Sequence, residues 1–454
     1  MNEYSFINFL RRPGDTFMKK ILPAVLALGV CFALPAVSAA ESASQEDIMK
    51  ELAAMRAQLT AQMEKISALE SKLEKVEKEK VEGTTEEKVA GKVALANKFI
   101  DQLTIKSDLR VRYEQRDRDY YDEASSNDYN RDRWRTRFRL GFVWDNEAED
   151  WQVGAGLIAN DQNQATNSNG TWSQNSPFDR NYVSLDYAYA KHKWQDFSFT
   201  LGQQPNPYEM AWVMYDGDVR FAGLTVQYGQ KSGPFATLGG YDAKLVPSGN
   251  SAGDNTAMLY YGQAGYRGDA GDVKYTLAAG YQTYDQSFIN DMESNNYPDI
   301  NPDKYGLDIG DLYGKVSFPA GSATLSAYGQ IWKNFGADGD VGQSQITDFP
   351  KEPDDAGMGW AVGVNTKIDK FYLGLDYSVI EADSLYGFLA DGDFGSGLST
   401  TNKKGYRVQA GYDFTKNWSA LISYLDYEQE EDFYTTNSEV DSVGLLQIDA
   451  KYKF

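Results

Sequence analysis

The sequence has a single cysteine and a single histidine, which narrows the chemistry that the chain can carry. Cys31 lies in an apolar run near the start, so we expect the exported chain to lack disulfides. A hydrolytic barrel would need a nucleophile, a base and an orienting group around His192, which lies between two lysines. The sequence has no glycine-rich phosphate loop and no motif of metal ligands. We therefore expect no cofactor, no metal and no enzyme activity.

Long apolar runs are also missing after the amino terminus. The mean hydropathy is −0.54, and no stretch there approaches the ~20 apolar residues that a membrane-spanning helix requires. The strands of a transmembrane barrel escape this measure because only alternate residues touch lipid. The formal net charge of −22 argues against nucleic-acid binding by the chain as a whole, since a phosphate backbone repels an acidic protein.

The one long apolar run, Ile21 to Leu34, has the features of an export signal. Two lysines precede it, and the small residues 36–40 at its end suit a cleavage site. We therefore predict a signal peptide over residues 1–40, with Met18 as an alternative start of the chain.

Residues 41–81 contain a heptad pattern that is typical of a coiled coil. Apolar residues recur at alternate spacings of four and three over roughly four heptads, with Glu and Lys between them. The seam residues are Ile48, Leu52, Met55, Leu59, Gln62, Ile66, Leu69, Leu73 and Val76. We predict a periplasmic coiled coil here and a charged linker over residues 82–102. A single amphipathic helix lying on another domain would show a similar pattern.

From residue 103 onward the helical period disappears, and short runs alternate between apolar and polar residues as half-buried strands do. We predict sixteen strands, over residues 105–116, 131–144, 151–160, 181–191, 197–204, 223–229, 235–242, 258–267, 273–284, 311–318, 323–332, 359–368, 371–380, 406–414, 418–426 and 441–454. The last strand alternates without a slip up to Phe454, so it needs a partner strand, and a closed barrel in lipid supplies one. The predicted fold is an all-β, closed antiparallel transmembrane β-barrel of about sixteen strands over residues 103–454, preceded by the helical coiled coil.

The connections between the predicted strands support a barrel because they alternate in length. Short connections such as 268–272 and 369–370 separate long ones such as 286–310 and 382–404, which are rich in Asp, Asn, Gly and Ser. Outer-membrane barrels have short periplasmic turns and long extracellular loops. A soluble sandwich has no reason to sort its loops in this way.

Residues 133–139 of the second predicted strand have arginine at every other position, so these four arginines project from one face. Their apolar neighbours assign that face to the lumen, because an arginine facing lipid costs about 2–4 kcal/mol at the bilayer midplane. With the adjacent first and last strands, the predicted lumen-lining basic residues are Arg110, Arg112, Arg133, Arg135, Arg137, Arg139, Lys451 and Lys453. Such a row offers stations for anions or solute hydroxyls. The arginines could equally pair with carboxylates of the wall or loops and fill space.

The connection 205–221 combines acidic residues with apolar anchors. Glu209, Asp216 and Asp218 are its predicted acidic side, facing the basic residues across the lumen, although an ordinary surface loop fits the same composition. Three Asp-Gly-Asp triplets, one of them in this loop, lack the ligand spacing of a calcium loop, so turn chemistry is the favoured interpretation.

In its order of export signal, coiled coil, barrel and terminal Phe454, the sequence resembles the outer-membrane porins of Gram-negative bacteria that carry a periplasmic coiled-coil prefix. The segments 109–114 and 135–140 contribute to this resemblance. It implies a homotrimer in the outer-membrane lipid and passive diffusion of small hydrophilic solutes. It also implies that the barrel-assembly machinery recognises the strand ending in Phe454.

Three functions are therefore compatible with the sequence. The first is an outer-membrane porin that leans toward anions through an arginine-lined lumen. The second is a non-conducting anchor or adhesin barrel, which the long acidic loops and the coiled coil also fit. The third is a barrel hydrolase, which would lose its activity on replacement of His192.

Overall fold

The computed structural model describes residues 100–121, 130–161, 165–229, 232–244, 256–295, 297–344, 349–432 and 440–454. The predicted signal peptide (1–40), the coiled coil (41–81) and nearly all of the linker (82–102) lie outside these residues. Among the described residues, no helix is long and apolar enough to cross a membrane.

Within the described ranges, sixteen long antiparallel strands close into one barrel, and a seventeenth strand of two residues, β4, pairs with β2. The strands are β1 Leu103–Tyr120, β2 Arg131–Asn146, β3 Trp151–Asn160, β4 Gly170–Thr171, β5 Tyr182–Trp194, β6 Phe197–Pro205, β7 Arg220–Tyr228, β8 Gly233–Asp242, β9 Met258–Ala270, β10 Val273–Tyr284, β11 Asp308–Ala320, β12 Ala323–Asn334, β13 Met358–Ile368, β14 Phe371–Ile380, β15 Lys403–Asp413, β16 Trp418–Gln429 and β17 Val440–Lys453. The predicted closed antiparallel barrel of about sixteen strands is confirmed.

Closure brings the last strand against the first. In the β1–β17 pair, Asp108 lies opposite Lys453 and Asp117 lies opposite Gly444. The backbone N–H of Ser107 donates to the carbonyl oxygen of Phe454 at 2.9 Å, and the N–H of Phe454 donates back at 3.1 Å. The backbone groups of both strands are thereby paired, as hydrocarbon requires of a spanning sheet.

The alternation in the sequence becomes an apolar outer face and a polar inner face. Leu201 and Leu238 point outward and keep 65% and 60% of their surface exposed, whereas their neighbours Thr200 and Thr237 are almost fully covered inside. Successive residues of a strand point to opposite faces, so alternating apolar and polar residues suit lipid outside the barrel and water inside it. Each such leucine stabilises the inserted barrel by about 1.5–3 kcal/mol when lipid covers it.

The short connections lie on one rim, which we call the short-turn rim. They join β2 to β3, β5 to β6, β7 to β8, β9 to β10, β11 to β12, β13 to β14 and β15 to β16. Gly271 and Gly321 have φ angles of 67° and 66°, a left-handed conformation that favours glycine in so tight a turn. Aromatic pairs such as Trp418 with Tyr452, 4.7 Å between ring centres, lie at this rim, where Trp and Tyr suit a membrane interface.

Long loops from the opposite rim fold inward and form an apolar core inside the barrel, which we call the interior core. It draws on the described residues of the loops 206–219, 285–307 and 381–402, and the second of these contains a helix, α1 Gln286–Asn295. Its most covered members, at 0–1% exposure, include Val213, Met214, Met292, Leu307 and Trp332. The sequence pattern does not predict this core, which packs against the inward faces of β7 to β14, β16 and β17 and leaves the wall of β1 and β2 to polar residues.

Candidate functional site: the basic wall of the lumen

The strand register gathers the predicted basic residues into one wall. We call it the basic sector, the inward faces of β1, β2 and β17. Across the β1–β2 pair Arg110 lies opposite Arg137 and Arg112 lies opposite Arg135, and across the closure Arg110 also lies opposite Lys451. Directly opposed residues point to the same face of a sheet, so the eight predicted residues share this wall.

Glu114 of β1 is the carboxylate at the centre of the arginines of β2. Its Oε1 accepts a hydrogen bond from Arg133 Nε at 2.6 Å and one from Arg131 Nη2 at 3.3 Å, and its Oε2 accepts one from Arg135 Nη1 at 3.4 Å. Its exposure is 1%. One buried anion thus offsets part of the charge of three guanidinium groups. Sequence reasoning missed this residue, although the alternation places it on the same face as Arg110 and Arg112.

Asp449 of β17 plays the equivalent part on the other side of β1. Arg112 Nε donates to its Oδ1 at 2.7 Å and Arg112 Nη2 to its Oδ2 at 3.1 Å, a bidentate pair. Arg110 Nη1 is 3.8 Å from Asp449 Oδ2, and Lys451 Nζ is 3.5 Å from the same atom. This carboxylate, also missed from the sequence, links three of the predicted basic residues.

The arginines nearest the short-turn rim have acidic partners of their own. Arg137 donates to Asp108 Oδ1 through Nε at 3.0 Å and through Nη2 at 2.8 Å. Arg139 pairs with Asp218, and its Nε lies 3.5 Å from Asp186 Oδ2 of β5. The basic sector is therefore a network of ion pairs in which arginine remains in excess, rather than a row of free charges.

Solvent exposure divides the arginines of the basic sector into two groups. The covered side chains are Arg110, Arg112 and Arg135, at 9%, 6% and 6% exposure. The open ones are Arg133, Arg137 and Arg139, at 20%, 16% and 20%. The second group borders the space that water can still reach inside the barrel.

Two predicted carboxylates of the loop 206–219 contact opposite walls. Asp218 pairs with Arg139 of the basic sector. Glu209 Oε1 instead accepts from Arg267 Nη2 of β9 at 2.9 Å, away from the basic sector. The loop therefore bridges the lumen, with one acidic end on each side.

The loop 381–402 also reaches the basic sector, a contact that the sequence pattern does not predict. Asp393 Oδ2 lies 3.0 Å from Arg112 Nη1, and Ser396 Oγ accepts from Arg116 Nη1 at 3.2 Å. Although burial acts in the opposite direction, the neighbouring Arg112 guanidinium holds the pKa of Asp393 below its ordinary range. The only signal in the sequence is the Asp-Gly-Asp triplet that ends at Asp393.

The third predicted carboxylate, Asp216, joins two of the inward loops, 206–219 and 381–402. Its Oδ2 accepts from the backbone N–H of Gly392 at 2.9 Å, and its own N–H donates to the carbonyl of Leu389 at 2.9 Å. Burial, followed by the negative charges of Asp391 and Asp218, raises the pKa of Asp216 to about 8. The folded protein therefore keeps this carboxyl protonated at a pH where an unfolded chain has ionised it.

This raised pKa predicts that the two loops separate more readily at alkaline pH. A carboxyl whose folded-state pKa exceeds its unfolded value favours the docked loops at low pH, and this support is lost as the pH rises through about 8. We expect the single-channel current fluctuations of the wild type to increase as the pH rises toward about 8. The neutral variant Asp216→Asn should show a flat response, and a pH dependence equal to that of the wild type would assign the effect to other groups.

His192 lies on β5 next to the short-turn rim. Its ring packs against Trp151, with 4.5 Å between ring centres. Among the described residues, no group of three or more His, Cys, Asp or Glu side chains is placed to hold a metal ion.

Comparison with known proteins supplies the family. The chain matches the family model described as "Putative porin" over residues 45–306, which is more than half of its length. No curated protein sequence matches it.

The chain is similar to solved structures of porins. A high-pH structure of Pseudomonas putida OprB has a TM-score of 0.50 and 11% identity, over 79% of this chain and 96% of that one. Pseudomonas aeruginosa OccK8 (OprE) has a TM-score of 0.46 and 14% identity, over 78% of this chain and 99% of that one. With the confirmed barrel and the family match, the chain belongs to this porin family of outer-membrane channel proteins.

Proposed function

We propose that the protein is a passive channel whose basic sector favours anions among the small hydrophilic solutes that cross it. The observation that carries the proposal is the open row of Arg133, Arg137 and Arg139, each of which keeps 16–20% of its side chain exposed inside the barrel. Guanidinium groups stay charged at every physiological pH and are weakly hydrated, so the row offers successive stations to a passing anion.

Ion pairing weakens the field of the basic sector without cancelling it. Glu114 serves three guanidinium groups, and Asp449 is shared by Arg110, Arg112 and Lys451. In both clusters the cations outnumber the carboxylate. A narrow lumen with low-dielectric walls focuses the remaining positive potential, which supports an anion preference inside a chain that is acidic overall.

Neutralising two of the open arginines is expected to reduce the anion preference. The variant Arg133→Gln/Arg137→Gln removes two positive charges from the lumen. The zero-current potential across a KCl gradient should therefore shift toward the equilibrium potential of potassium. The variant Arg133→Lys/Arg137→Lys retains the charges and should keep most of the preference. An unchanged potential in the glutamine variant would overturn the role of these arginines.

We assign the short-turn rim to the periplasm and the long-loop rim to the exterior, the arrangement of outer-membrane barrels. The segment before β1 would then lie in the periplasm, and its heptads would hold a homotrimer together. Deleting residues 48–76 should lower the trimer fraction that chemical cross-linking of the detergent-solubilised protein detects. An unchanged trimer fraction would remove this role from the coiled coil.

A non-conducting anchor or adhesin is the alternative, and the interior core is the observation that favours it. Val213, Met292 and Leu307 show no exposure at all, so part of the lumen is packed like a protein interior. The absence of any conductance step from pure, refolded protein would select this alternative. Discrete steps would exclude it.

A further inference from the structure

A cavity of about 510 Å³ opens at the short-turn rim, next to Arg139 of the basic sector. We call it the mouth cavity. Its charged lining includes Lys106, Asp108, Arg139, Asp186, Arg220 and Lys453. Its volume lies within the range of sites that hold small ligands, about 300–1,000 Å³.

The carboxylates around the mouth cavity already have partners. Asp108 Oδ1 accepts two hydrogen bonds from Arg137, at 2.8 and 3.0 Å. Asp186 Oδ1 accepts from Arg220 Nε at 2.8 Å, and its Oδ2 lies 3.5 Å from Arg139 Nε. These two acidic groups are therefore engaged by arginines and leave the other cations of the cavity uncompensated.

The lysines of the mouth cavity, unlike its carboxylates, form no ion pairs with the described residues. Lys106, Lys416 and Lys453 line the cavity and are exposed. Among the ion pairs that the described residues form, none includes these three side chains. Lys453 lies opposite Asp108 in the strand register, but Arg137 already occupies that carboxylate. A ligand can therefore bind the three lysines without displacing a carboxylate of the protein.

Deeper in the basic sector the situation is different. Arg133 and Arg135 contact Glu114, and Arg112 is bound by Asp449 at Nε and Nη2 and by Asp393 at Nη1. An anion there has to compete with a buried carboxylate for every charge-assisted hydrogen bond. The site of longest residence in the lumen is therefore expected at the mouth, although the sequence points to the arginines.

We propose that the mouth cavity binds compact multivalent anions that enter from the periplasmic side, an inference that rests on the anion-leaning channel above. A lysine ammonium is a mobile point charge and lacks the planar fork with which arginine reads one carboxylate. Several such charges around one cavity respond to the total charge of the ligand more than to its shape. Phosphates and polycarboxylates with two or more charges fit this chemistry, whereas a monovalent carboxylate gains little from it.

Planar-bilayer recordings of the full mature protein, with inorganic pyrophosphate added to one chamber at a time, test this site. We expect pyrophosphate to interrupt the current at a lower concentration from the short-turn side than from the loop side, and at a lower concentration than acetate. A cysteine placed at the exposed loop residue Asp299, labelled with an impermeant thiol reagent, identifies the chamber that faces the long loops.

The variant Lys106→Gln/Lys453→Gln should raise the half-blocking concentration of pyrophosphate on the order of tenfold, which corresponds to about 1.4 kcal/mol. Both lysines are exposed, so the fold should be unaffected. The matched control is Lys274→Gln/Lys315→Gln, two exposed lysines at diagonally neighbouring positions of the inward faces of β10 and β11 that do not line the cavity. This control should leave the block by pyrophosphate close to that of the wild type.

Equal block from both chambers, or an equal loss in the two double variants, overturns the mouth site. Calorimetric titration of pyrophosphate into the detergent-solubilised protein adds a measurement that does not depend on conduction. An anion-selective channel whose pyrophosphate affinity ignores Lys106 and Lys453 would keep the proposed function and remove the site. A channel without anion preference that still binds pyrophosphate through these lysines would keep the site and remove the proposed function.

Discussion

Replacing Glu114 with glutamine is expected to destabilise the barrel and, at the same time, to shift its ion selectivity toward anions. The substitution keeps the shape of the side chain but leaves Arg131, Arg133 and Arg135 without their shared carboxylate. Removing one member of a buried ion pair costs about 3–5 kcal/mol, and we expect about 3 kcal/mol here because two of these arginines contact lumen water. The same change increases the net positive charge of the lumen.

The matched control for Glu114→Gln is Asp108→Asn, in the same strand and on the same face. The Asp108 side chain is 23% exposed and pairs with Arg137, so its loss should cost roughly 1 kcal/mol or less. Urea unfolding of the protein in lipid vesicles measures the free energy of unfolding of both variants. If the two substitutions lowered the free energy of unfolding equally, Glu114 would not be the central carboxylate of the basic sector.

Introducing a charge into the interior core is expected to open the channel. Val213 has no exposed surface and lies in the loop 206–219 that crosses the lumen. An aspartate at this position would be buried without a partner, at an effective cost of several kcal/mol, and release of the loop relieves that cost. The variant Val213→Asp should therefore keep the barrel folded while its single-channel conductance rises severalfold.

The control for Val213→Asp is Gly217→Ala in the same loop. A methyl group added at Gly217 meets no atom within 4 Å, so the loop should stay docked and the conductance should stay at the wild-type level. A Val213→Asp channel with unchanged conductance would show that the loop 206–219 does not limit flow. Retention of β-structure by circular dichroism verifies that the barrel itself survives.

The barrel could be predicted from the sequence because lipid and water impose opposite demands on neighbouring residues. The first strand was expected over residues 105–116 and extends over Leu103–Tyr120, and its arginines share one face as the period of two requires. The same alternation fixes the register at closure, since a slip by one residue would turn the arginines toward lipid.

The partners of the arginines could not be predicted in the same way. Glu114 and Asp449 lie on the lumen face by alternation, but their contacts depend on which strands become neighbours and in which register. The inward folding of the loop 381–402, with Asp393 on Arg112, depends on tertiary packing that leaves no period in the sequence. For the same reason the contact of Glu209 with Arg267 on the far wall was not foreseen.

We propose that the closed barrel conducts through a lumen whose excess of arginine and lysine selects for negative charge. Single-channel recording of the wild-type protein across a KCl gradient tests it most directly. We expect discrete conductance steps and a zero-current potential displaced toward the equilibrium potential of chloride. The absence of conductance steps, or a potassium preference that stays the same when Arg133 and Arg137 are neutralised, would contradict this proposal.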